Sequence, residues 1–181
     1  MCPRSCLIPE RKFGFCGVRG TVNGSLHPFI YGRSVCASEE IIEAEAGFHY
    51  APGARILSLG NIGCMMDCDF CQNWETSQVQ YLHDDAVCNY SPNDIIKICR
   101  DNNIGTISWT YNDPVVWQEF VVETSQMARE NNIHTLYKSA LYIQESPLED
   151  LLIVLIYSYC FRKTRQFSGK DKIPSYYSQG V

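Results

Sequence analysis

Three cysteines fall close together in the segment Gly60-Asn61-Ile62-Gly63-Cys64-Met65-Met66-Asp67-Cys68-Asp69-Phe70-Cys71, with the spacing C-x3-C-x2-C. Thiolates are soft ligands suited to iron and zinc. Three on one short loop can wrap three corners of a cubane iron–sulfur cluster and leave its fourth iron open to a small molecule. Gly60 and Gly63 would let the loop turn sharply and bring its backbone close to the cluster. Three other readings stay open. A zinc site wants four ligands and would need Asp67 or Asp69 to complete it. A disulfide would leave one thiol over, and all three could be inert buried thiols.

A looser group, Cys2, Cys6 and Cys16, stands at the front of the chain. A second metal site and free thiols are both open there, since three ligands rarely close a structural site. Cys36, Cys88, Cys99 and Cys160 read as buried or surface thiols rather than ligands. His27, His49, His83 and His134 show no mutual ligand spacing, and none is assigned to catalysis. Lys138 stands near a strand end and is read as solvent-facing, with a site-facing position as the alternative.

Ten cysteines in 181 residues is a high count. The first residues lack the apolar stretch of a signal peptide, so a cytoplasmic compartment is expected. Thiols stay reduced there, and such a count then points to metal or redox chemistry. The formal net charge of −5 argues against a nucleic-acid partner held through phosphates. No apolar run approaches the length a bilayer requires, so no membrane span is expected. Hydrophobic content of 45% with 19% charged residues excludes a disordered chain.

The elements that must position the cysteines can be read from patterning. Residues 1–54 show no long periodicity and are expected to form an irregular module, rich in Cys and Gly. Ile56-Leu57-Ser58-Leu59, closed by Gly60, reads as a buried strand that delivers the cysteine loop. Ser91-Pro92-Asn93-Asp94 is a capping-box helix start. Ile104 to Thr110 reads as a strand, and Asp113-Pro114 starts a second helix with Trp117, Phe120, Val121, Thr124 and Ala128 on one face. Ile133 to Ser139 reads as a strand, and Ser146-Pro147 starts a third helix. Residues 153–159 suggest a fourth strand.

Arg100-Asp101-Asn102-Asn103-Ile104 recurs as Arg129-Glu130-Asn131-Asn132-Ile133, a period of roughly 30 residues. That is the period of a βα unit. The expected fold is α/β: an incomplete parallel (βα) TIM-type barrel over residues 55–160, preceded by the Cys-rich module of residues 1–54. Residues 161–181 carry Arg162, Lys163, Arg165, Lys170 and Lys172 and are expected to be a frayed basic tail.

The cysteine segment resembles the signature of the radical S-adenosylmethionine (SAM) superfamily, C-x3-C-x-aromatic-C, with Phe70 in the aromatic slot. A narrower resemblance is to pyruvate formate-lyase activating enzyme-like proteins of the AmmeMemoRadiSam type. It rests on Cys16-Gly17-Val18-Arg19, Tyr31-Gly32-Arg33, Gly47-Phe48-His49-Tyr50, Cys71-Gln72-Asn73-Trp74-Glu75, Thr110-Tyr111-Asn112-Asp113-Pro114 and Thr135-Leu136-Tyr137-Lys138-Ser139. Cys2, Cys6 and Cys16 resemble the N-terminal cysteine group of the same subfamily.

The resemblance implies that Cys64, Cys68 and Cys71 hold a [4Fe–4S] cluster and that SAM chelates its open iron. One-electron reduction would cleave SAM to methionine and a 5′-deoxyadenosyl radical, which would abstract hydrogen from a substrate. Tyr111, Asn112 and Asp113 occupy the place of the superfamily's Gly-Gly-Glu stretch, which receives the SAM amino group. Asp113 is equally readable as the helix cap before Pro114. The implied partners are a flavodoxin- or ferredoxin-like electron donor and a Memo-type protein or glycyl-radical enzyme. A chain that stops before the later strands of such a barrel could also be an inactive iron–sulfur-binding or interaction protein, or a zinc scaffold.

Overall fold

The computed structural model describes residues 1–154, and residues 157–160 by their backbone alone. The tail reading of residues 161–181 lies outside the described residues. The strands are β1 (Arg19–Val22), β2 (Ser25–Pro28), β3 (Arg33–Ile41), β4 (Arg55–Asn61), β5 (Val87–Asn89), β6 (Thr106–Thr110), β7 (His134–Ser139) and β8 (Tyr157–Cys160). The α-helices are α1 (Trp74–Ser77), α2 (Pro92–Asp101), α3 (Gln118–Glu130) and α4 (Glu145–Val154).

The main sheet has six strands in the order β5-β3-β4-β6-β7-β8, and β1 and β2 form a separate hairpin. The run β4-β6-β7-β8 is parallel, as the βα repeat requires. β3 then pairs antiparallel with β4, and β5 antiparallel with β3. This overturns the expected fold. The sheet is open and mixed, not an incomplete TIM-type barrel, and the front of the chain supplies a nine-residue strand to it rather than a wholly irregular module. The physical reason is that a βα period is common to every parallel sheet. Closure depends on strand number and stagger, which the period does not encode.

Local chemistry accounts for the helices. Ser91 accepts from the Asp94 amide while the Asp94 carboxylate accepts from the Ser91 amide, a complete capping box with Pro92 at the first helical position. Such caps are worth about 1 kcal/mol. The repeated Asn-Asn pairs end α2 and α3 in the same way. Asn103 and Asn132 take positive φ, and the next amides reach back to Cys99 and Ala128. These are Schellman closures. α3 starts after a 3-10 turn over Pro114–Trp117 rather than at Pro114 itself. α4 runs to Val154, so only the second part of the suggested fourth strand is strand.

Trp109 on β6 meets Trp117 and Phe120 in the main core, with the Trp117 and Phe120 rings stacked at 4.5 Å. Burying each ring contributes roughly 2–3 kcal/mol. The Trp109 and Trp117 ring N–H groups donate to Ser125 and to the Ile30 carbonyl, so neither is left unpaired. Ile56 and Leu136, which alternate with Leu57 and Tyr137, pack with Ile42 in a smaller cluster beneath Tyr50, Ala51 and Ala54. Cys99 sits in the core on α2, as its helical position predicts. No helix among the described residues is long and apolar enough to cross a membrane.

Candidate functional site

The carboxyl ends of β4, β6 and β7 open on one cavity of about 420 Å³. This is where open parallel sheets place ligands. Cys64, Cys68 and Cys71 line it, together with Tyr111, Asn112 and Asp113. Phe70, the remaining sequence-predicted residue, is 72% exposed and does not line the cavity.

The cysteine loop leaves β4 through two glycines with different duties. Gly63 has φ +75°, and a Cβ there would stand 2.5 Å from the Cys16 carbonyl. Gly60 keeps ordinary extended backbone, but a Cβ there would stand 2.6 Å from the Tyr111 ring. Only Gly63 is a sharp turn of the kind the sequence suggests for both. Asn61 Nδ2 donates to the Gly63 carbonyl at 2.8 Å, and the Cys71 amide donates to the Cys68 carbonyl at 2.9 Å. The Gly63 amide donates to the Thr76 carbonyl at 2.9 Å, so the chain beyond the cysteines returns toward the strand end.

The three thiols differ in setting. Cys64 is buried, and its sulfur accepts from the Met66 amide at 3.3 Å. Burial, with the nearby Asp113 carboxylate, pushes its thiol up to about 12. A thiolate at Cys64 is therefore favoured only beside a compensating cation. Cys68 and Cys71 are half-buried, with Cys71 Sγ 3.4 Å from Ser77 Oγ. Among the described residues, no three His, Cys, Asp or Glu side chains gather closely enough to hold a single metal ion. Cys2, Cys6 and Cys16 are free thiols, and burial, then the nearby Cys16 and Cys6, push the Cys2 thiol up.

Asp113 caps the 3-10 turn by accepting from the Val115 amide at 3.2 Å. Its oxygens also accept from Ser139 Oγ and the Ala140 amide, each at 2.8 Å, which ties the end of β6 to the end of β7. Tyr111 takes φ +66°, costly for a non-glycine residue, and its hydroxyl donates to Glu40 at 2.7 Å. Asn112 Nδ2 donates to the Asn61 carbonyl and to Thr76, while its buried Oδ1 has no hydrogen-bond partner. A buried acceptor left unmatched costs free energy, and Asn112 is among the residues that line the cavity.

Sequence reasoning missed the opposite wall. Glu45 is 4% exposed and accepts from Thr110 Oγ1 at 2.7 Å and from Lys138 Nζ at 2.9 Å. Lys138, read as solvent-facing, lines the cavity instead. Its place at the end of β7, beside a buried residue, was the available signal; no local pattern marks Glu45, which the chain delivers from a 3-10 turn. Cys36 and Cys88, read as thiols, are joined as a disulfide across β3 and β5.

No family model matches the chain. The chain is similar to an uncharacterized protein of Methanocaldococcus jannaschii, with 36% identity over 152 residues. The match covers 83% of this chain and 45% of that relative, so the chain spans less than half the relative's length.

Proposed function

We propose that this chain is a radical SAM protein of the pyruvate formate-lyase activating enzyme-like type, binding a [4Fe–4S] cluster through Cys64, Cys68 and Cys71 with SAM beside it. The observation that carries the reading is the meeting of Cys64, Cys68 and Cys71 with Asn112 around one cavity at the ends of parallel strands. The donor set fits the group. Three cysteine sulfurs suit a cluster with one open iron, and Asn112 carries an acceptor that no donor among the described residues satisfies.

When bound and reduced by one electron, the cluster supplies reductive cleavage of SAM to methionine and a 5′-deoxyadenosyl radical that abstracts hydrogen from a substrate. The chain's own residues supply binding, orientation and exclusion of water. Asn112 would help hold the SAM amino group. Asp113 holds the Ser139 and Ala140 wall in register with Asn112. Met66 and Ala140 give the cavity apolar surface. The expected setting is cytoplasmic, with a flavodoxin- or ferredoxin-like donor and a Memo-type or glycyl-radical protein as partner.

Anaerobic reconstitution followed by SAM and dithionite tests this function. Release of 5′-deoxyadenosine that is lost in Asn112→Leu supports it. A loaded cluster that leaves SAM intact would favour an iron–sulfur-binding protein without this activity.

A further inference from the structure

A disulfide ties β5 to β3, the strand that carries Glu40 into the cavity wall. Cys36 on β3 is exposed and pairs with half-buried Cys88 on β5, with Cα atoms 5.0 Å apart. β5 is a three-residue edge strand, held to β3 only over Arg33, Ser34 and Val35. The β3–β4 register shifts between Val35 and Ser38, so Cys36 and Ala37 form the irregular step. Both are held from the β5 side: Cys36 by the disulfide, and Ala37 by an amide donating to the Tyr90 hydroxyl at 3.0 Å.

The residues beyond that step build the cavity wall. Ser38 Oγ lies 2.8 Å from the Tyr111 hydroxyl, which donates to Glu40. The Tyr111 carbonyl accepts from Asn73, just beyond the last cysteine of the loop. Residue 111 holds a positive φ, a conformation that persists only where the surroundings hold it.

We propose that Cys36 and Cys88 form a thiol–disulfide exchange site whose redox state sets how firmly the Tyr111 wall of the cavity is held. The co-reactant is a dithiol of the thioredoxin class. One of its thiolates attacks the exposed Cys36 sulfur, the Cys36–Cys88 bond breaks, and Cys88 leaves as a thiolate that takes up a proton. The second thiol of the reductant then displaces Cys36, which is also protonated. Two cysteine thiols are gained as the dithiol becomes a disulfide. Reduction frees β5 from the irregular step of β3 and lets Ser38 and Glu40 move away from Tyr111. The proposal holds whatever the cavity binds.

Peptide-resolved hydrogen exchange on the full chain tests it, comparing the oxidised protein, the dithiol-reduced protein and C36S/C88S, with thiol alkylation in parallel. The expected result is that Cys36 and Cys88 resist alkylation until reduction. Amides of residues 37–40 and 111–113 should then exchange roughly tenfold faster, with α3 unchanged. Alkylation of both cysteines before reduction would overturn the bond. Faster exchange confined to residues 87–90 would make it a local staple, and faster exchange throughout α3 would make it a general stabiliser. Either overturns the switch.

Discussion

The side-chain amide of Asn73 donates to the backbone oxygen of Tyr111 at 2.8 Å, so the residue that opens α1 is tied to the turn after β6. Asn73 stands at a helix N-cap yet makes no side-chain cap there. Its amide instead joins the cysteine loop to the opposite wall of the cavity.

Asn73→Ala should therefore loosen the loop more than it weakens the fold. The expected loss of stability is about 1 kcal/mol, read from urea unfolding. Iron retained after anaerobic desalting should fall by more than that change explains. Unchanged iron retention would make the bond irrelevant to the loop.

Gly63 permits no side chain. Its φ of +75° and the Cys16 carbonyl 2.5 Å from a would-be Cβ both exclude one. Gly63→Ala should cost on the order of 2 kcal/mol or more, because strain and overlap add. Gly53, also at positive φ but with nothing within 4 Å of its would-be Cβ, is the control. Gly53→Ala should cost roughly 1 kcal/mol. Equal losses in denaturant unfolding would refute the contact with Cys16.

The Arg19–Glu119 pair fixes the β1–β2 hairpin to α3, and Arg19 also donates to the Val116 carbonyl. Burial alone would raise the Glu119 carboxyl, but the Arg19 hydrogen bond and charge hold it below its usual 4.5. A depressed carboxyl contributes stability that is present above 4.5 and is lost as the pH falls through the lower, folded value. Glu119→Gln should remove that share of the acid dependence and leave the neutral-to-alkaline slope alone. Stability curves at pH 3–7 that superimpose for both proteins would contradict it.

Lys138→Met should remove the cation beside buried Glu45 and leave its carboxylate with Thr110 as close partner. The expected cost is about 2 kcal/mol, below that of a fully buried pair because the Lys138 side chain is 31% exposed. Thermal unfolding reads it. A loss no greater than that of an ordinary surface lysine would show that Glu45 does not depend on Lys138.

Local rules made much of this molecule legible. The capping box at Ser91, the Asn-Asn helix ends and the buried faces of α2 and α3 follow from patterns within one or two helical turns. The candidate site was legible where its residues lie at strand ends: Cys64, Cys68, Cys71, Asn112 and Asp113 share one cavity. Non-local pairings were not legible. β3 docks antiparallel against β4 because Ser34 and residues 38–41 find partners across a loop, and no period announces that. Glu45 and Lys138 are 93 positions apart and meet only once β7 stands beside β6. Phe70 fits a motif, yet its ring faces outward.

Iron and acid-labile sulfide per chain, measured after anaerobic reconstitution of the full chain and of C64A/C68A/C71A, test the central claim most directly. The account predicts about four of each in the unmodified chain, with thiolate-to-iron absorption, and neither in the variant. A colourless chain that takes up zinc alone, or equal iron in both proteins, would contradict it.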